Sequence, residues 1–330
     1  MLAVPLLSEI ALRVFGKTPH STPSNSPSSV PARFVKPDSS FFIKLNEGHY
    51  LVSLNNSLKF TATHTGAGTR LTVLHTDSAA NIKNWFFTGC SFTYGFGVDD
   101  TCTYLYKASD LLTGINIRNH AVPGYGTLET LILLKKLIAE NQKLPAVMVY
   151  NYMDFHQERN YLNSAHRLNF IDGYQTTITN SPADAAFFSA IRFTGAIIKN
   201  DTIAIEYLTV PQLKKREFPL RRKSALAELV ATALDKYSLR NSETITRSIL
   251  AEINQLCVRH NIRFLVSYMQ PVFLQSTMYK FLQQQKVDCI DITFDNGNPA
   301  NYNYPSDGHP SALAHELMAE KLVAFIKTQK

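Results

Sequence analysis

The chain has 330 residues, of which 45% are hydrophobic and 18% are charged, and its formal net charge is +7. This composition indicates a globular protein with one large α/β domain and an appendage, or with two domains, and it excludes a disordered chain. No run of about 18 or more apolar residues occurs, so the sequence predicts no membrane-spanning helix.

The amino terminus divides into an apolar stretch and a polar one. Residues 1–16 have neither a basic n-region nor a cleavage site, so they do not form a competent signal peptide. We expect either an amphipathic helix packed on the body or the stub of a longer anchor, and membrane association only through this segment. Residues 17–31 are rich in serine and proline and are predicted to be a linker, because they carry too little apolar surface to pack.

Residues 32–80 predict a small antiparallel β module, because short alternating runs such as His49–Val52 and Leu58–Thr61 are separated by turn residues. From residue 81 onward, strands alternate with helices. The predicted strands are Trp85–Thr88, Asn116–Asn119, Ala146–Tyr150 and Arg263–Tyr268. The predicted helices are Tyr104–Leu112, Thr127–Asn141, Ala225–Tyr237, Glu243–His260, Met278–Gln285 and Ala312–Lys327. This alternation predicts an α/β fold, a three-layer α/β/α sandwich with a mainly parallel sheet, with an insertion at about residues 160–220.

The spacing of the cysteines, histidines and basic residues argues against a metal site and a nucleic-acid site. The four cysteines show no C-x-x-C pair and the ten histidines form no H-E-x-x-H motif, so the sequence predicts no metal and no other cofactor. Basic residues cluster at Lys214–Arg216 and Arg221–Lys223 without interleaved aromatics, which favours a solvated face over a nucleic-acid site. An acidic polysaccharide or a membrane headgroup stays open as an alternative partner for these clusters.

Two polar segments carry the residue types of acyl transfer. Gly89–Gly95 follows a predicted strand and places Ser91 at its carboxyl end, the edge at which open α/β sheets bind ligands. Asp307 and His309 precede the last predicted helix. Each segment alone also fits a helix cap or a turn. Together they supply a nucleophile, a base and a group that orients the base, and they predict a catalytic site.

Three segments in this order resemble the SGNH (GDSL-type) hydrolases. Gly89–Gly95 is similar to the first block of that family, Asn119–Thr127 to the second and Asp307–Pro310 to the last, which carries the catalytic histidine. The resemblance covers the chain from about Trp85 to the carboxyl terminus and implies an SGNH/flavodoxin-like fold. Thr93 stands where a G-x-S-x-G elbow has its second glycine, which argues against the α/β-hydrolase fold.

The chemistry assigns a role to each residue. Ser91 attacks, His309 takes its proton as general base, and Asp307 holds the imidazole in the required tautomer. The backbone N–H groups of Ser91 and Gly124 are predicted to donate to the oxyanion.

The sequence departs from the family pattern at two places. The orienting aspartate lies two residues before His309 rather than three, so Asp291 and Asp295 remain rivals of Asp307, and a serine–histidine dyad oriented by a backbone carbonyl stays open. Met153 occupies the position of the asparagine that supplies the third oxyanion donor, and a thioether cannot donate.

Other polar residues follow the same predicted strand as Met153. Either Asn151 or His156 replaces the missing donor, or only two donors exist. As an alternative, Asp154, His156 and Arg159 form a structural ion cluster.

These residues predict a cofactor-free serine esterase that hydrolyses a small ester through an acyl-enzyme, with acetyl groups on a carbohydrate as the first candidate substrate. The alternatives are an acyltransferase that uses the same serine and a non-catalytic carbohydrate-binding protein that keeps the fold. The expected partner is a small ester or an acylated glycan, and no nucleic acid. The compartment is not determined by the sequence, although the resemblance implies an extracytoplasmic or membrane-associated location.

Overall fold

The computed structural model describes residues 3–21, 27–54, 57–75, 82–160, 172, 182–200 and 202–329. The strands are β1 (Ser28–Val30), β2 (Val35–Pro37), β3 (Ile43–Leu45), β4 (Gly48–Leu54), β5 (Leu58–His64), β6 (Lys83–Thr88), β7 (Ile115–Asn119), β8 (Val147–Tyr152), β9 (Phe193–Lys199), β10 (Thr202–Leu208), β11 (Arg263–Tyr268) and β12 (Asp288–Asp291). The helices are α1 (Ala3–Val14), α2 (Ser91–Tyr94), α3 (Tyr104–Leu111), α4 (Thr127–Ala139), α5 (His156–Arg159), α6 (Pro182–Ala190), α7 (Val210–Lys215), α8 (Ala225–Arg259), α9 (Thr277–Gln284) and α10 (Ala312–Thr328).

A parallel sheet in the order β12-β11-β8-β6-β7 forms the centre of the molecule. Its side chains contribute to two separate hydrophobic cores, one on each face of the sheet, because successive residues of a strand point to opposite faces. On β8, Met148 and Tyr150 pack with α4 and α8, whereas Val147 and Val149 pack with α3 and α10. The structure is therefore the three-layer α/β/α sandwich that the alternation predicts.

The β module packs on the sandwich by way of β7. Strands β1, β4 and β5 form one antiparallel sheet, and β2 pairs with β3 in another. Arg70 lies between His64 at the end of β5 and Asn119 at the end of β7 and bridges both. Through this residue the module reaches the carboxyl edge of the central sheet.

Several predicted boundaries are wrong, each for a physical reason. Residues 28–30 belong to the predicted linker but form β1, because their backbone pairs with β4. The two helices predicted over Ala225–His260 are one helix, α8, because the polar residues between them include no glycine or proline to end it. Residues 70–74 are a further alternating run of the predicted β module, but beyond the bridge at Arg70 they are irregular. Strand β12 has no counterpart in the prediction.

The insertion at about residues 160–220 contains α6, the β9–β10 hairpin and α7. Residues 161–171, 173–181 and 201 lie outside the described part of the chain. Phe193 of β9 stacks on Phe42 of the β module with ring centroids 5.8 Å apart, and Thr194 donates to Glu129 of α4. Among the described residues, no helix has the length and apolar character that crossing a membrane requires.

Candidate active site

Ser91 is the first residue of α2, directly after the sharp turn that follows β6, at the carboxyl edge of the central sheet. Gly89 has a φ of +149° and Gly95, which ends α2, has a φ of +87°, both in the range that favours glycine. A Cβ atom at Gly89 would collide with the Thr93 side chain, and one at Gly95 would lie 2.6 Å from Thr103. The two glycines therefore allow the tight turn that presents Ser91, which is only 7% exposed.

The structure brings Ser91, His309 and Asp307 together in the predicted order. Nε2 of His309 lies 2.7 Å from Oγ of Ser91, although the two residues are 218 positions apart. Nδ1 of His309 contacts Oδ2 of Asp307. With Nδ1 protonated and hydrogen-bonded to the carboxylate, Nε2 is free to accept the serine proton.

Two phenylalanines hold the imidazole of His309. Phe92 and Phe96 have ring centroids 4.9 Å and 5.0 Å from that of His309. Both come from the segment that follows Ser91, so the same turn positions the nucleophile and packs against the base. The side chains of His309 and Asp307 are 21% and 15% exposed. The base is therefore accessible to solvent while its orientation is fixed.

The rival aspartates are engaged elsewhere. Asp291 accepts from the backbone of Thr293 at 2.7 Å and pairs with Lys321 at 3.1 Å. Asp295 accepts from the backbone of Gly297 at 2.9 Å. Asp307 is thus the carboxylate that contacts His309, and the arrangement is a triad rather than the dyad that the sequence left open.

The loop after β7 carries Gly124 and lies against the serine turn. The N–H of Val122 donates to the carbonyl of Gly89 at 3.3 Å, and Asn119 donates to the carbonyl of Thr93 at 3.2 Å. Gly124 has a φ of +92°. The N–H groups of Ser91 and Gly124 donate to no other group among the described residues. Both backbone donors remain available to a ligand.

The two candidates for a third donor point into the protein. Asn151 lies beside Gly89, but its amide donates to Ser267 on β11 at 3.0 Å. His156 is fully buried, and its Nδ1 lies 2.6 Å from the hydroxyl of Tyr150. Each side chain thus has a partner in the interior, and neither forms a hydrogen bond with Ser91 among the described residues.

The predicted ion cluster after β8 takes a different form. Asp154 is exposed, whereas Arg159 is buried and lies over the Phe155 ring. Arg159 also donates to the carbonyl of Tyr125 at 2.7 Å. This contact holds the chain that leads from Gly124 into α4.

Sequence reasoning missed Arg70, the residue that holds the serine turn in place. Arg70 is fully buried and pairs with Asp100 at 2.9 Å. Its guanidinium also donates to four backbone carbonyls, which are those of Thr61, Tyr94, Gly95 and Val98. A lone arginine that follows a glycine-rich turn gives no signal of such partners, since they become neighbours only when the β module packs on the sandwich.

A buried histidine joins the same arrangement. Nε2 of His64 lies 2.8 Å from the hydroxyl of Tyr94, and Nδ1 lies 2.9 Å from the carbonyl of Asn46. Burial lowers the pKa of His64 to about 4, because the charged form loses its hydration. Burial likewise raises the pKa of Tyr94. Both side chains are therefore neutral near pH 7.

No family model matches the chain, and none of the curated proteins matches it. Solved structures that match include a member of the lipolytic protein G-D-S-L family from Veillonella parvula DSM 2008 (9% identity, TM-score 0.38, 74% of this chain and 98% of that one). The esterase EstA from Pseudoalteromonas sp. matches with 11% identity, a TM-score of 0.40 and coverage of 75% and 98%. The acetylxylan esterase Axe2 from Geobacillus stearothermophilus matches with 11% identity, a TM-score of 0.38 and coverage of 74% and 94%. Similarity at this level assigns neither a family nor a substrate, so the function has to be argued from the residues of the site.

Proposed function

We propose that this chain is a serine esterase of the SGNH hydrolase type, which cleaves a small ester through a covalent acyl-enzyme. The observation that carries the proposal is the continuous contact from Asp307 through His309 to Ser91 at the carboxyl edge of the sheet. Buried serine–histidine contacts of structural origin do not need a carboxylate on the far nitrogen. This one has it, together with two uncommitted backbone N–H groups on the adjacent turn and loop.

Each residue has a defined step in this mechanism. His309 takes the proton of Ser91 as the oxygen attacks the ester carbonyl, and Asp307 stabilises the imidazolium that forms. The N–H groups of Ser91 and Gly124 donate to the oxyanion of the tetrahedral intermediate. His309 then protonates the leaving alcohol, and it later deprotonates the water that releases the acid.

The exposure of the nucleophile favours a small acyl group. Ser91 is 7% exposed and the Phe92 ring lies beside the base, which favours a short acyl group over a bulky one. Acetyl esters, including those of carbohydrates, meet this preference. The proposed substrate is therefore a short-chain ester or an acylated glycan.

Labelling with a fluorophosphonate probe tests the nucleophile directly. We expect the probe to modify Ser91, as mapped by mass spectrometry, and we expect p-nitrophenyl acetate hydrolysis to disappear in Ser91→Ala. Ser306→Ala is the matched control, because Ser306 lies in the same region as His309 but has no place in the contact chain. Equal turnover by wild type and Ser91→Ala would overturn the proposal.

The same assay separates the other functions that the sequence left open. An acyltransferase would transfer the acyl group to an added sugar hydroxyl in preference to water, which product analysis detects. A non-catalytic binding protein would bind glycans without being labelled at Ser91. Hydrolysis that depends on Ser91 and is unchanged by added sugar supports the esterase.

A further inference from the structure

Helix α1 presents an apolar face to solvent. Leu6, Leu7, Ile10 and Val14 are 52–77% exposed, and Phe15, directly after the helix, is 80% exposed. The spacing of Leu6, Leu7, Ile10 and Val14 places these four on one side of the helix, in an arc of about 100°, and Phe15 follows beyond its last residue. We call these five residues the α1 apolar face. Large apolar side chains exposed together on one face indicate an interaction surface.

The flank of α1 beside its apolar face is fastened to the start of α8. The carboxylate of Glu9 accepts from the backbone N–H groups of Ala225 and Leu226 at 2.9 Å and from the hydroxyl of Ser224 at 2.7 Å. Arg13 donates to the carbonyl of Lys223 at 3.0 Å. These contacts fix the rotation of α1 about its axis, so its apolar face is held outward.

The first turns of α8 add to the exposed apolar surface. Leu229, Val230, Leu234 and Tyr237 are 40–67% exposed, although α1 packs against this helix. The buried residues of α8 that contact the sheet begin further along, at Ile245. Two neighbouring helices therefore both expose large apolar side chains outside the core of the sandwich.

Lysines lie next to this surface, and among the described residues they form no ion pair. Lys17 and Lys223 are exposed, Lys223 lies beside Ile10 and Val14, and a hydrogen bond from the His20 N–H to the Arg221 carbonyl joins the two segments. The nearby carboxylates are already engaged: Glu9 with Arg13, Glu217 with Arg222 and Glu228 with Arg221. The surface is therefore apolar with a basic surround.

We propose that α1 and the start of α8 bind the surface of an anionic lipid bilayer, with the α1 apolar face in the interface and the lysines on the headgroups. An amphipathic helix with cationic neighbours is the arrangement that binds such an interface without crossing it. A second copy of this chain is the poorer occupant, because it would set two basic surfaces, each with Lys17 and Lys223, against one another.

The proposed surface lies on the side of the molecule that carries Ser91. Asn160, which follows β8 at the carboxyl edge of the sheet, donates to Thr246 of α8 at 2.7 Å. The part of α8 before Thr246 therefore extends beyond that edge, by roughly 30 Å at 1.5 Å per residue. The bilayer would thus face the side on which the sheet opens to ligands.

Sedimentation with lipid vesicles tests this proposal, independently of any esterase activity. We expect the protein to sediment with vesicles of equal parts phosphatidylcholine and phosphatidylglycerol, and much less with phosphatidylcholine alone. Ile10→Glu/Val14→Glu should reduce binding to the mixed vesicles by at least tenfold, because it places charge in the interface. Lys17→Gln/Lys223→Gln should weaken binding by roughly 25-fold, about fivefold for each lysine near the surface.

Val258→Glu is the matched control, since Val258 is a 69% exposed apolar residue at the other end of α8. It should sediment like wild type, and circular dichroism with thermal unfolding should show all variants folded. The proposal is wrong if the wild-type protein does not sediment with the mixed vesicles, or if it binds both vesicle types equally. It is also wrong if Ile10→Glu/Val14→Glu abolishes a dimer seen by analytical ultracentrifugation while vesicle binding is absent.

Discussion

The serine and histidine sides of the site are held in different ways. The serine turn, residues 89–98, is braced by side chains from the distant β module, with Arg70 donating to Tyr94, Gly95 and Val98. The histidine loop, residues 301–311, is held by local backbone contacts. For example, the N–H of Asn303 donates to the carbonyl of His309 at 3.0 Å.

This difference separates stability from catalysis. A substitution of Arg70 breaks contacts between the β module and the sandwich, so it affects the free energy of unfolding of the module and the sandwich together. A substitution in the histidine loop breaks few contacts outside the loop, so it affects mainly the tautomer and orientation of the base.

The largest expected effect is on the histidine side. Asp307→Asn should lower kcat for p-nitrophenyl acetate by about 10⁴-fold, because an amide can stabilise the tautomer of His309 that cannot take the serine proton. The free energy of unfolding should change by less than about 1 kcal/mol, since the carboxylate is at a partly exposed position. Steady-state kinetics and urea denaturation on the same preparations check both values. A large loss of stability would show that the histidine loop is also structural.

On the serine side the expected pattern is reversed. Arg70→Met should lower the free energy of unfolding by about 3–5 kcal/mol, because it leaves the carboxylate of Asp100 buried without its cationic partner. Arg263→Met is the control: Arg263 pairs with Asp288 at an exposed position, and such pairs contribute about 0–1 kcal/mol. Arg70→Met/Asp100→Asn should recover part of the loss in urea denaturation. Equal losses of unfolding free energy in Arg70→Met and Arg263→Met would show that Arg70 does not stabilise the serine turn.

The same division explains which features could be predicted from the sequence. The strand before Ser91 and the loop before α10 are local patterns, and they identified Ser91, His309 and Asp307 as neighbours. The choice of Asp307 over Asp291 and Asp295 required the fold, because all three lie in the segment before His309 and the sequence does not show which one contacts the imidazole. Arg70 and Asp100 are 30 residues apart and meet only through packing of the β module.

Acid should weaken the serine side through His64. Its pKa is about 4 when folded and near 6.5 when unfolded, so between these values the unfolded state binds more protons. The contribution of neutral His64 to the free energy of unfolding is therefore fully present above pH 6.5 and is lost as the pH falls towards 4. At 1.36 kcal/mol per pKa unit, this loss amounts to about 3 kcal/mol. Urea denaturation at several pH values should show a steeper acid loss in wild type than in His64→Gln. If the free energy of unfolding depends on pH in the same way in both proteins, His64 does not contribute to the acid sensitivity of the serine side.

The smallest expected effect concerns the oxyanion donors. Asn151→Ala should lower kcat by less than tenfold, because the Asn151 amide donates to Ser267 rather than towards Ser91. Removing an oxyanion donor costs about 10²–10³ in kcat, so the two outcomes are well separated. Ser267→Ala is the matched control, since it removes the same interior contact from β11 and leaves Asn151 in place. If Asn151→Ala alone loses 10²-fold or more, the amide turns to the oxyanion during the reaction, and the serine side supplies a side-chain donor in addition to its backbone.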